Sequence, residues 1–395
     1  MYSEEDINSA VAAGALSADA AASFRSHMST VRALPRQSEE NFRLLNSFND
    51  IFVAIGIVIL LLAVGAIGQS VASAFFPMEA FPYWDWSEGP RPADEPAFMA
   101  YKEARDLSEG VQMFLSGLLV ALAAWPLSEF FTRKRRMALP SILLLLAFVG
   151  GTFISILGLA RGVGTNLEET TGAAMVALSG VLGAAAAYIH WRRFQVPITV
   201  AAAAGVGVLS LIIGLLGIGQ LNGDSAGFLI AVLVAGLAVF GFAMRWDISD
   251  RERITRRSDV AFWLHLLAAP MIAHPIFALI GVNDGANIGV GAAVAVLGVY
   301  VTFGLIALAI DRRALLVSAL AYVLFALTFL FREFGAVEFN FALTALVIGS
   351  ALLSLSAFWQ PIRSAVVGAL PEGLQALLPE AQDVSAAAQQ AGATV

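Results

Sequence analysis

The 395-residue chain contains no cysteine. Disulfides, thiolate metal sites, iron–sulfur clusters and thiol nucleophiles are therefore excluded from its own side chains. Charge is scarce too: Asp, Glu, Lys and Arg make up 13% of the residues, and histidine occurs four times. A soluble globule is about a quarter charged and about half apolar. Here 58% of residues are apolar and the mean hydropathy is +0.78, more apolar surface than a water-facing shell can cover. Phosphate-binding signatures are also missing, since neither a Walker A string nor a GxGxxG occurs.

What the chain does contain is about ten apolar runs separated by short polar stretches, each long enough to cross a hydrocarbon core of about 30 Å. The pattern predicts an all-α polytopic transmembrane helical bundle. The spans fall at about 51–72, 111–131, 138–160, 172–190, 197–218, 227–245, 259–280, 289–310, 314–331 and 340–359. Basic residues near span ends resist translocation and so report orientation. With the N-terminus inside, the outer segments keep only Arg91, Lys102, Arg105, Arg161 and Arg332, and the other 18 of the 23 basic residues lie in inner segments. This predicts N-in/C-in topology in the inner (cytoplasmic) membrane of a bacterium, with the lipid bilayer as the main partner and no nucleic acid.

Three regions are expected: a cytoplasmic helical module at 1–46, the bundle at 47–359, and a cytoplasmic segment at 360–395. In the first, Ser3 is positioned to cap a helix that Gly14 ends, and Ser17 to cap a second helix carrying Ala21, Phe24 and Met28. Ser38 opens a third, carrying Phe42, Leu45 and Phe48. No basic stretch followed by a cleavable apolar run precedes them, so no signal peptide is expected. The long outer loop, 76–110, begins with aromatics and prolines from Phe75 to Trp86 and turns helical from about Pro96. Rings of this kind form collars at the lipid interface; a lid over an outer vestibule is the alternative. After Trp359, Pro361–Leu378 reads as an amphipathic stretch interrupted at Pro371, followed by a disordered Ala/Gln-rich end.

Leu216-Gly217 and Asp247 are followed sixty-four positions later by Ile280-Gly281 and Asp311, which suggests a repeated two-span unit with tight Gly/Asn/Asp turns at Gly219–Gly227 and Gly281–Gly289. Short-looped hairpins favour such turns without any repetition. Spans four to eight are dense in small residues, among them Gly180, Gly183, Gly214 and Gly236, which let helix backbones approach closely.

The seventh span holds the strongest site candidates, His265, Pro270, His274 and Pro275. Each proline lacks an amide donor and clashes with the carbonyl four residues earlier, so a bend or break is expected, with His274 beside it as the deepest ionisable residue of the chain. Such residues inside a membrane carry a functional expectation. Nine residues separate the two histidines, so on one helix they point to roughly opposite sides and form no two-ligand metal site. Haem ligation by His274 would need His190 or His265, both nearer the cytoplasmic side, and neither a metal nor another cofactor is expected. Span centres hold no Asp, Glu, Lys or Arg; Asp50, Glu129 and Asp311 lie near span ends, which argues against a carboxylate proton relay. Gly223 to Gly227 fits GxSxG, and Ser225, His274 and Asp284 can be drawn as a triad, but that motif needs a strand before its turn. A serine hydrolase is thus the third choice, and the chain is read as a non-enzyme. The basic clusters Arg133–Arg136 and Arg251–Arg257 serve as orientation signals, with anionic headgroups or a partner as the other reading.

The stretch Ala10 to Phe24 (AVAAGALSADAAASF), followed by a linker and many two-span hairpins, resembles uncharacterised bacterial polytopic inner-membrane proteins with a small cytoplasmic helical module ahead of their spans. The resemblance implies a layout and no activity or site residue. Two function classes follow. One is a small-solute or lipid transporter, permease-like, with its site at the broken seventh span. The other is a non-transporting sensor or assembly scaffold that meets a protein partner through the N-terminal module.

Overall fold

The structure is a computed structural model that describes residues 4–24, 48–78, 96–163, 169–217, 225–253, 255–281, 289–333 and 340–379. All regular structure among them is helical. The outer-loop aromatics Phe81 to Trp86, the helix opened at Ser38, Met28, Asp284 and the Ala/Gln-rich end lie outside the described residues, as does most of each outer turn of the two-span units.

Near the N-terminus, α1 (Glu4–Ala12) is stopped by Gly14 in a left-handed conformation, φ +68°, which glycine adopts without a Cβ clash. Ser17 then accepts a hydrogen bond from Ala20 N at 3.1 Å, capping a second helical segment at 18–24. Ile7 and Ala21 are buried.

The long apolar helices follow as α2 (Phe48–Phe75), α3 (Pro96–Ser128), α4 (Ala138–Val163), α5 (Glu169–Phe194), α6 (Ile198–Gly217), α7 (Ala226–Ile248), α8 (Arg256–Leu279), α9 (Val290–Ile310), α10 (Ala314–Glu333) and α11 (Asn340–Ala357). Two short helices, α12 (Trp359–Gly368) and α13 (Glu372–Gln375), come after them. Among the described residues, eight helices are long and apolar enough to cross a membrane. The apolar part of α6, Ile198–Ile212, is shorter, and α11 meets α12 at a 75° bend.

Salt bridges show which helix ends lie together. Arg193 at the end of α5 meets Glu129 at 2.6 Å, just past α3, and Arg312 between α9 and α10 meets Asp247 at the end of α7 at 2.7 Å. Arg161 at the far end of α4 instead meets Asp106 at 2.9 Å in the first part of α3. Alternate crossing of a slab requires this grouping of ends. The turns at the arginine-rich end are short, and four carry a non-glycine residue in the left-handed region: Arg136, Gln195, Arg253 and Asp311, with φ of 53° to 55°. Such residues cost about 1–2 kcal/mol each unless held by contacts. Gln195 Nε2 donates to Trp191 O at 2.9 Å, and Arg253 and Asp311 bind each other.

The helices pack in two ways. On α3 and α4, a Cβ at Gly117 would sit 2.5 Å from Gly151 O, and one at Gly110 2.5 Å from Gly162 N. These backbones touch, as small-residue faces permit in lipid. In the other half, α8 is the hub. Its Val260, Leu264, Ala268, Ile272 and Phe277 are buried in an apolar cluster with residues of α6, α7 and α10, and Phe277 meets Phe303 of α9 edge-on at 6.1 Å. A Cβ at Gly236 would come 2.9–3.0 Å from Met271, so α7 lies tight on it. Small residues are uneven in their use: Gly214 would meet nothing within 4 Å.

The expected break in the seventh span is not there. α8 runs as one helix from Arg256 to Leu279 with Pro270 and Pro275 inside it. Each proline removes one hydrogen bond, whereas packing of α8 on its neighbours fixes the residues on either side, and Pro275 is itself buried. The sharp bend lies at α11–α12, where Trp359 anchors the turn.

Candidate functional site

Two polar arrangements stand out in the apolar bundle, and α8 carries part of each. The first is a buried ionic network at the arginine-rich end. Asp247, on the last turn of α7, has a fully buried side chain. Its Oδ2 lies 2.8 Å from His265 Nε2 on α8, and its Oδ1 accepts from Arg312 Nη2 at 2.7 Å. Arg312, itself 4% exposed, also donates to Ser258 O at 3.0 Å. Next to Arg312 in the chain, Asp311 Oδ2 accepts from Arg253 Nη1 at 2.7 Å, and Asp311 Oδ1 accepts from Trp359 Nε1 at 2.6 Å. Arg363 Nε lies 3.8 Å from the same oxygen. Asp250 Oδ2 accepts from the Thr255 hydroxyl at 2.6 Å and from its amide at 3.0 Å, closing the α7–α8 turn.

The pairing is an exchange. Arg253, in the α7–α8 turn, goes to the aspartate that follows α9, and Arg312, in the α9–α10 turn, goes to the aspartate that ends α7. The hairpins thus hold each other. Arg253 sits between the spans, and burial, helped by the nearby Arg312 charge, lowers its guanidinium from the usual value while Asp311 and Asp247 pull it back. A buried charge is tolerated only when paired and hydrogen-bonded, and each aspartate here has both.

The second arrangement lies farther along α8. His274 is exposed, and its Nδ1 is 2.6 Å from the hydroxyl of Tyr322 on α10. The tyrosine ring stacks on Phe277 with centroids 4.4 Å apart. His274 and Pro270 are exposed on one strip of α8, which the half-buried Trp263 and Leu267 continue, the four recurring at helical steps of four, three and four residues. Toward the Arg256 end of that strip, an apolar groove of about 380 Å³ runs between α4, α6 and α8, lined by Val149, Ala201, Gly205, Trp263, Leu266 and Leu267.

The structure therefore separates the residues singled out in the sequence. His265 is buried in the network at 3% exposure and packs edge-on to Phe240. It, not His274, is the most enclosed ionisable residue on α8. Pro270 and His274 are exposed on the strip, and Pro275 is buried. His190 shares no partner with either histidine; Trp125, Phe148 and Phe194 surround it, and neither ring nitrogen has a hydrogen-bond partner among the described residues. Ser225 is the N-cap of α7, accepting from Phe228 N at 3.3 Å, and the hydroxyl at His274 is that of Tyr322.

Sequence reasoning placed Asp311 near a span end and Asp247 in a repeat, and passed over their pairing with Arg253 and Arg312. The available signal was the acid–arginine neighbourhood at both turns, Asp247 with Arg253 and Asp311 with Arg312. No family model, curated protein or solved structure matches the chain.

Proposed function

We propose that the chain is a ten-span, N-in/C-in protein of the bacterial cytoplasmic membrane that moves a small apolar or amphipathic solute, lipids included, along the exposed strip of α8. On this reading α6 is the fifth span and α11 the tenth, and the arginine-rich end faces the cytoplasm by the basic-residue bias. One observation carries the transport reading: His274 and Tyr322 present a hydrogen-bonded polar pair on an exposed helix face, on the same strip as the apolar groove. Polar groups within the bilayer are costly unless they meet water, protein or a polar part of a solute. His274 lies five residues before the end of α8, about 8 Å below it by helical rise, where an amphipathic solute would place its polar part while its apolar part follows the groove.

The ionic network then acts as the fixed base against which the strip works, and not as a relay, because its carboxylates are held by arginines. The capping role of Ser225 supports the view that the chain is not a hydrolase.

The test uses the absence of cysteine. His274→Cys and Leu267→Cys are introduced singly and labelled from each side of the membrane with a small impermeant thiol reagent. Reaction at position 274 from either side, suppressed by an amphipathic solute, is the expected result. No reaction at 274, with a loop cysteine reacting as control, sinks the proposal and leaves His274 as a packing residue.

A further inference from the structure

A separate cavity at the arginine-rich end has a chemistry of its own. It has a volume of about 990 Å³ and opens between the ends of α5 and α7 and the start of α8. Arg245 on α7 and Arg256 and Arg257 on α8 line it, together with Gln195, Ser249 and Thr255. No acidic residue is in the lining. This sets it apart from the network next door, where each arginine has an aspartate. Arg245, Arg256 and Arg257 are exposed and make no side-chain hydrogen bond or salt bridge among the described residues. The nearest acids are otherwise placed: Asp250 is taken up by Thr255, and Asp259 is half-buried one turn along α8 from Arg256.

The cavity also has an apolar side. Phe242, one turn farther from the helix end than Trp246, lines it with Trp191, Trp246 and Val260, and Phe242 is 41% exposed. Its ring meets Trp246 edge-on at 6.2 Å. Arg256 and Arg257 stand at the start of α8, Arg245 and Trp246 side by side near the end of α7, and Phe242 one turn farther into α7, so the cavity offers guanidinium groups beside aromatic rings, as a phospholipid's phosphate and acyl chains require. Arginine suits phosphate because its planar fork donates two parallel hydrogen bonds, and basic pockets between helices at this membrane face suit anionic headgroups.

We propose that this cavity is a binding site for one anionic phospholipid, its phosphate held by Arg245, Arg256 and Arg257 and its first methylenes lying on Trp191, Trp246 and Phe242. The site is independent of any pathway along α8. It places a lipid beside the α7–α8 turn, where Arg253 enters the ionic network.

The test uses the full chain purified in detergent and stripped of lipid. Native mass spectrometry and tryptophan fluorescence, with Trp191 and Trp246 as reporters, follow titration with phosphatidylglycerol, phosphatidylcholine, glycerol phosphate and inorganic phosphate. Saturable binding of one phosphatidylglycerol, at least about tenfold tighter than phosphatidylcholine (about 1.4 kcal/mol by RT ln 10), is expected. R245Q/R256Q/R257Q should abolish that preference, while R133Q/R136Q, at the other basic cluster, should keep it. F242A should weaken phosphatidylglycerol without admitting phosphatidylcholine, and it serves as the second variant if the triple change fails to fold. Equal binding of both lipids, or an unchanged preference in the triple variant, overturns the proposal. Saturation of the same site by glycerol phosphate or inorganic phosphate at the lipid's concentration overturns it as well, since the ligand would then be a free phosphate.

Discussion

The α3–α4 pair and the α7–α10 group meet the same demand by opposite means. Between α3 and α4, glycines bring backbone against backbone, and the contact at Gly117 and Gly151 has no room for a single added carbon. Between α7 and α10, two aspartates and two arginines exchange partners at the arginine-rich end of the helices. Lipid tails are as apolar as leucine, so burial alone does not favour helix association. Close contact and buried ion pairs are two ways to gain what burial cannot. They differ in tolerance: a glycine face fails when something is added, an ion network when something is removed.

The largest test of that contrast is Asp247→Ala, which takes from Arg312 and His265 the carboxylate they share. A loss of about 3–5 kcal/mol is expected, since a broken buried pair leaves an uncompensated charge. It is read as a drop in Tm of the detergent-solubilised protein. Adding Arg312→Met should restore most of the loss, and a double variant as unstable as the single one would break the argument. Next comes Trp359→Phe, which removes the bond to Asp311 and leaves a smaller ring under Arg313. Bonds to charged groups contribute about 1.5–3 kcal/mol, and urea unfolding should show the loss without a change in slope.

On the glycine side, Gly117→Leu should cost about 1–3 kcal/mol by overpacking. Gly150→Ala, where a Cβ meets nothing within 4 Å, should be close to neutral in the same thermal assay. If both behave alike, α3 and α4 are not in backbone contact. One further effect has the opposite sign. Pro270→Ala returns an amide donor to a helix that is already continuous, with a gain of about 0.5–1.5 kcal/mol for a typical hydrogen bond. A fall in Tm would mean that the proline ring itself is needed.

The helices were legible because apolar runs of span length separated by charged turns have few other solutions. Gly14 and Ser17 were legible as punctuation for the same local reason. At its prolines α8 is unbroken: the chain rule considers only the helix that loses a hydrogen bond, while packing on neighbouring helices keeps it continuous. The ionic network was half visible. Asp247 and Asp311 stood out by their spacing, but which arginine each would take depends on how two hairpins lie side by side. Likewise, the contact of Gly110 and Gly117 with α4 has no local signature, since glycine is common throughout the chain.

Asp311 and Trp359 stand forty-eight residues apart, a separation that also orders events during synthesis. When Asp311 leaves the ribosome, Arg253 has already been made, while Trp359 and Arg363 have not. The exchange between the two hairpins can therefore form early, and the bend at α11–α12 adds the last donors to a carboxylate already engaged. A chain interrupted before Trp359 would retain the clasp but not its latch, so completion of the tail is written into the stability of helices made long before it.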